Sequence, residues 1–267
     1  MIVDYHMHLR DEQGGIDHRA EAVEPFVHRA RERGIEEIGF TEHVYYFRET
    51  RGLWQTDYQR ERCVLELEPY VDAVLEAKRR GLPVKLGLEV DWARDRAGEL
   101  DEILAPYPWD YLLGSVHWLG GVHSVDGARD SGAWAEWSGE EVWRRYADEW
   151  CEAARSGSFD ALSHPDLPKI FGVRGSDERY DALAAAADAG GAAVEISTAG
   201  LRKPVGELYP DERLLRACDA PITLGSDAHE PTLVGEGFER AIAHARACGR
   251  DTVTVFDSRV PRQEPLG

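Results

Sequence analysis

The chain has no apolar run long enough to span a bilayer, and Met1 leads straight into Ile2-Val3-Asp4-Tyr5 without a basic leader. A signal peptide and a membrane anchor are therefore not expected, and the protein is expected in the cytoplasm. Cysteine is scarce: Cys63, Cys151, Cys218 and Cys248 lie far apart with no Cys-x-x-Cys pair. That spacing argues against a disulfide framework or a cysteine-based zinc site, and the four read as buried or half-buried free thiols. Positive charge is also short, 31 Lys+Arg against 50 Asp+Glu for a formal −19. Such a field repels nucleic-acid backbones and anionic lipid, so neither long nucleic acid nor membrane is an expected partner. No P-loop pattern and no Gly-x-Ser-x-Gly elbow occur, which removes two phosphate and acyl-transfer chemistries.

What is present alternates. Short apolar, branched runs at 2–5, 37–40, 84–88, 111–116, 159–162, 192–196 and 222–224 are separated by amphipathic stretches at 21–33, 61–80, 139–155, 177–189 and 232–247. Gly34, Gly81 and Gly190 punctuate the helical stretches as stop signals. Strand alternating with helix implies parallel strands joined by right-handed crossovers, in an open sheet or a closed barrel. No linker interrupts the pattern over 267 residues, so we expect a single domain over 1–257 and a loosely held tail over 258–267, where Pro261 and Pro265 lie.

All seven strand-like runs end in a polar, ligand-competent segment: His6 and His8, His43, Glu89, His117 and His164, the polar stretch opening at Glu195, then Asp227 with His229. An open sheet would draw its site from two or three strand ends. A barrel gathers all of them on one rim, so the expected fold is α/β, a distorted (β/α)7 TIM-like barrel with its metal site at the carboxyl rim. His6 and His8 are two residues apart at a strand end and so share a side; Asp227 and His229 repeat that spacing after the last strand, which barrel closure makes a neighbour of the first. Imidazole mixed with carboxylate suits divalent zinc, iron, manganese or cobalt. His28 and His244, inside amphipathic stretches, read as structural, and His123 in the Gly-rich 118–138 loop as a surface residue. The loops 45–57 and 118–138 fit lids over the rim and structural loops packed by their own aromatics equally well.

The segments DYHMH, FTEH, GLEVD, GSVHW, SHPDL and GSDAH, in this order from residue 4 to 229, resemble the polymerase and histidinol phosphatase (PHP) superfamily. EISTAGLRKPVGELYP at 195–210 with GSDAHEP is similar, more narrowly, to its histidinol-phosphate phosphatase branch. The resemblance implies three divalent ions. His6, His8 and Asp227 would hold the first, Glu89 would bridge it to the second, and His117 with His164 would complete the second. His43 and His229 would hold the third with His18, the next histidine after a first loop longer than the family usually has. A carboxylate can bridge two cations as imidazole cannot, and anions between the ions offset their repulsion.

The expected activity is hydrolysis of a small phosphorylated metabolite, best L-histidinol phosphate, a step of histidine biosynthesis, by attack of a metal-bound hydroxide, with Glu89, Asp227 and Arg202 catalytic. Arg202 is the first candidate for a phosphate clamp because its planar fork matches phosphoryl oxygens; Lys203, Arg48 and Ser197 are further substrate contacts, and Arg51 ranks with Arg48. Ser197 stands where family members often have Asn. The acidic wall suited to the amine and imidazole of histidinol is sought among Glu42, Asp91 and Asp166, each of which equally fits a role in orienting a ligand. Two alternatives stay open: a phosphoesterase of the same superfamily acting on nucleotides or short oligonucleotides, and a noncatalytic metal-binding barrel. Nothing in the residues sets the oligomeric state.

Overall fold

The central strands carry no polar alternation because both of their faces are covered. In the computed structural model, which describes residues 1–11 and 14–267, seven of them run parallel in one sheet. They are β1 (Val3–Asp4), β2 (Glu37–Phe40), β3 (Val84–Asp91), β4 (Tyr111–Ser115), β7 (Ala161–Leu162), β8 (Ala193–Ser197) and β9 (Ile222–Gly225), adjacent in that order. The short hairpin of β5 (Trp118–Leu119) and β6 (His123–Ser124) lies in the loop after β4, and a second hairpin, β10 (Thr252–Asp257) with β11 (Val260–Pro265), ends the chain. Tyr5 N donates to Leu224 O at 2.9 Å and His8 N to Ala228 O at 2.8 Å, so β9 returns to β1 and the sheet is a nearly closed barrel.

At the amino end of the strands the barrel is plugged by aromatics. Tyr111 lies with Tyr5 and Phe256 at ring separations of 5.1 and 5.4 Å, and its hydroxyl donates to Tyr5 O at 2.7 Å. Gly39 makes room for it: a Cβ there would stand 2.1 Å from the Tyr111 oxygen. Phe256 belongs to the terminal hairpin, so the expectation of a loose tail is corrected. Residues 260–265 pair in full register with 252–257, and Gly267 N donates to Met1 O at 3.1 Å. The prolines do not prevent this, because an edge strand tolerates a missing donor.

Helices 139–155 and 177–190 lie where the periodicity places them. The 61–80 stretch instead breaks into Asp57–Arg62 and Leu67–Arg79. Pro69 supplies the reason, since it lacks an amide hydrogen and its ring fits only the first turn of a helix. Thr56 and Gln59 close a capping box on the first piece. The 45–57 loop coils into tight turns fastened by Trp54 Nε1 on Thr50 Oγ1 (2.9 Å), and the 118–138 loop is fastened by Trp134 Nε1 on Val125 O (2.7 Å). Both are thus packed by their own aromatics. Among the described residues no helix is long and apolar enough to cross a membrane.

Candidate metal centre

Six of the seven strands deliver a candidate ligand residue to the same rim, as parallel strands in a barrel must, and β8 delivers Glu195 behind them. Four donor atoms from three strand ends converge first. His6 Nε2 stands 3.5 Å from Glu89 Oε2 and 3.6 Å from Asp227 Oδ1; His8 Nε2 stands 3.8 and 3.4 Å from the same two oxygens. Donors bound tetrahedrally to one ion at about 2.0–2.2 Å are spaced roughly 3.3–3.6 Å from each other. The other oxygen of Glu89 faces a different pair: Oε1 lies 3.5 Å from His117 Nε2 and 3.1 Å from His164 Nε2. One carboxylate therefore presents its two oxygens to two donor sets.

Several of these atoms, among them His6 Nε2 and His8 Nε2, are buried without a hydrogen-bond partner, and Glu89 Oε2 has His43 Nδ1 at 2.7 Å. Leaving buried polar atoms unpaired costs about 1–3 kcal/mol each. Their convergence is what a cation cradle requires, and the donor chemistry fits a divalent metal. His8, His43 and His229 form a further group whose donor atoms lie within 4.8 Å of one another, with the His8 and His229 rings stacked at 4.1 Å.

Hydrogen bonds behind the ligands choose their tautomers. His6 Nδ1 donates to Glu195 Oε1 at 2.8 Å and His117 Nδ1 to Asp91 Oδ1 at 2.9 Å, which leaves each Nε2 lone pair pointing at the cradle. Glu195 was not singled out from sequence, although it opens the EIST segment. Its Oε2 also accepts the His164 backbone amide at 2.6 Å, so one buried carboxylate fixes ligands from β1 and from the end of β7. Gly225 leaves the space: a Cβ there would sit 1.8 Å from Glu195 Oε1. His164 (φ 23°) and Asp227 (φ 53°) occupy left-handed backbone that costs a non-glycine residue about 1–3 kcal/mol, strain of the kind found where a site demands one orientation.

Burial by itself would raise the Glu89 carboxyl, but the charges of His6, His43 and His117 and the His164 hydrogen bond hold it well below the ordinary carboxylate range. Asp227 is likewise held down against burial, first by His6. Burial lowers the pKa of His8, His43 and His229, with the Glu89 carboxylate pulling His43 the other way, and so favours imidazoles able to donate a lone pair.

The remaining candidates are distributed unevenly. His18 is not drawn into the group with His43 and His229; its Nε2 faces Glu42 Oε1 at 3.8 Å, with its ring on Phe47 and Tyr70. The same Glu42 oxygen accepts from Arg10 Nη1 at 2.6 Å, a buried ion pair that sequence reading missed because it joins the ends of β1 and β2. Arg202 braces the Asp227 turn: Nη2 donates to Ser226 O at 2.6 Å and Asp227 O at 3.2 Å, and Nη1 to Glu236 at 3.3 Å. Lys203 is exposed beside it. Ser197 is buried, its hydroxyl oxygen accepting from Ala199 N at 3.3 Å. Arg48 pairs with Glu66 at 3.2 Å in a surface groove it shares with His18. Of the acids considered for a substrate wall, Glu42 holds Arg10, Asp91 holds His117, and Asp166 holds the buried Lys169 at 2.9 Å. His28 pairs with Glu32 on an exposed helix face, His244 meets Pro210 O, and His123 packs on Trp137.

Comparison with known proteins agrees with this arrangement. The PHP domain family model matches residues 4–199. A probable histidinol-phosphatase of Deinococcus radiodurans is 36% identical over 236 residues, covering 86% of this chain and 88% of the relative. Another from Thermotoga maritima is 26% identical over 248 residues, 90% of each protein. Among solved structures, the histidinol phosphate phosphatase of Lactococcus lactis, complexed with zinc, L-histidinol and phosphate, superposes with a TM-score of 0.75 at 21% identity over 98% of both chains. The putative histidinol phosphatase of Listeria monocytogenes does so at 0.71 and 20%, over 89% of this chain and 99% of that one. A family-model match over residues 4–199 and a 36% identical relative covering 86% of the chain place this protein in the PHP family, on its histidinol-phosphatase branch.

Proposed function

We propose that the protein is a metal-dependent phosphomonoesterase that hydrolyses L-histidinol phosphate to L-histidinol and phosphate. The carrying observation is Glu89, whose two oxygens face two separate sets of ligand atoms. The Deinococcus relative, a probable histidinol-phosphatase 36% identical to this chain, directs the choice of substrate within that chemistry.

The donor sets name the residues that would hold the ions: His6, His8, Glu89 and Asp227 for one, Glu89, His117 and His164 for a second, and His43 with His229 for a third. Divalent ions held there supply Lewis acidity and bring the pKa of a bound water down to about 7. Glu195 and Asp91 keep His6 and His117 in the tautomer that leaves Nε2 free. Arg202, already anchored on the Ser226 and Asp227 carbonyls, would turn Nη1 from Glu236 to the phosphoryl oxygens, with Lys203 adding charge at the rim. Local positive charge of this kind is required, because the chain as a whole repels anions.

The test is a phosphatase screen on metal-reconstituted protein with elemental analysis of the protein as isolated. L-histidinol phosphate is expected to be turned over far faster than nucleotides at equal concentration. Equal or faster turnover of mononucleotides or dinucleotides would transfer the assignment to a nucleotide phosphoesterase, and no turnover of any phosphomonoester by fully loaded protein would leave a metal-binding barrel.

His18 lies outside the donor groups, so His18→Ala is expected to leave the bound-metal content at its parental value after dialysis. Loss of one equivalent would return His18 to the ligand set.

A further inference from the structure

Beside His117 the rim opens into a cleft of about 470 Å³ walled by Tyr45, Tyr58 and Trp118. Tyr45 stacks on His43 at 4.9 Å, and the Tyr58 and Trp118 rings are 5.5 Å apart, so the aromatic wall is continuous with the ligand residues. A leaving group attached to a phosphoryl at the ions has this cleft as its neighbour. A flat ring fits between such walls by stacking, with cations also attracted to aromatic faces.

An amino-alcohol leaving group brings a positive charge that needs a carboxylate. Glu42, Asp91 and Asp166 are already engaged by Arg10, His117 and Lys169. Asp126 lines the same cleft, is exposed, and has no hydrogen bond or ion pair among the described residues. It stands in the wall of the cleft with His117, between the aromatic side and the Gly-rich turn of Gly127 and Gly132.

We propose that Asp126 determines specificity for the leaving group, pairing with the ammonium of an aminated phosphomonoester whose ring lies among Tyr45, Tyr58 and Trp118. This inference rests on the histidinol-phosphate reading and adds to it a residue outside every recognised motif. An exposed pair is weak, while a charge-assisted pair in a cleft filled by substrate is stronger, which sets the expected effect at roughly five- to tenfold.

The experiment compares parent and Asp126→Asn, both fully metal-loaded, on L-histidinol phosphate and on its desamino analogue, 3-(imidazol-4-yl)propyl phosphate. For Asp126→Asn the ratio of kcat/KM between the two substrates is expected to fall roughly five- to tenfold, through KM, and inhibition by free L-histidinol is expected to weaken in parallel. Turnover of the desamino analogue and metal content should stay at parental values. An unchanged ratio, or equal loss on both substrates, overturns the inference and leaves the phosphatase reading standing. A parent that does not favour L-histidinol phosphate over its analogue or over nucleotides overturns the reading itself, and the role of Asp126 with it.

Discussion

Glu89→Gln is expected to lower phosphomonoesterase kcat/KM by on the order of a thousandfold, because each ion of such a centre contributes several kcal/mol to the transition state and this variant disturbs two. Glu89 presents one oxygen to each principal donor set, Oε2 to His6, His8 and the oxygen of Asp227 that they face, and Oε1 to His117 and His164. Glutamine keeps the shape but removes the charge and replaces one acceptor oxygen by an amide nitrogen that cannot donate a lone pair. Elemental analysis should therefore show both ions of the Glu89 sets weakened together. Asp227→Asn disturbs only the first set and should spare the second. Circular dichroism of the metal-free proteins should show the same fold, with Glu89→Gln the less stable because it loses a buried carboxylate that its imidazole neighbours hold ionised. Parental activity and ion content in Glu89→Gln would show that this carboxylate bridges nothing.

The seven strands were legible because each is an apolar run bounded by turn signals, and the rim was legible because ligand residues ended those runs. The residues behind the rim were much less so. Glu195 and His6 are far apart in sequence, and only closure of β9 onto β1 brings them within 2.8 Å. Arg10 and Glu42 likewise meet only because β1 and β2 are neighbours, and their pair occupies the carboxylate that faces His18. The loop after His8 is longer than the family usually has, and His18 at its end stands with Nε2 buried and unpartnered near Glu42, apart from the group of His8, His43 and His229. The terminal segment was misread for another reason: its prolines signal looseness locally, whereas Phe256 holds the hairpin by stacking on Tyr111 inside the barrel mouth. Local signals identified elements and the candidate ligands that the rim gathers; pairings between distant segments needed the barrel itself.

Lys169→Met is expected to destabilise the protein by about 3–5 kcal/mol, the usual consequence of stranding one member of a buried ion pair. Lys169 and Asp166 are both fully buried, 2.9 Å apart, and Asp166 also accepts from the Asp211 backbone amide at 2.8 Å and the Tyr180 hydroxyl at 3.3 Å. Burial pushes the Asp166 carboxyl up to about 6 even with Lys169 pulling the other way, so the carboxylate depends on that ammonium. Thermal unfolding followed by circular dichroism should shift down by roughly 10 °C in a chain of this size. The effect should reach the metal centre as well. Asp166 follows His164 by two residues, both have left-handed backbone, and the network around Asp166 holds the strained turn that aims His164 at Glu89. Weaker retention of the second ion should accompany the loss of stability. Replacing both partners, Asp166→Asn with Lys169→Met, removes the stranded charge and should recover much of the unfolding temperature. If Lys169→Met unfolds within 2 °C of the parent, a threshold set against the roughly 2–4 °C expected per kcal/mol, the pair does not hold this turn, and the orientation of His164 rests on Glu195 alone.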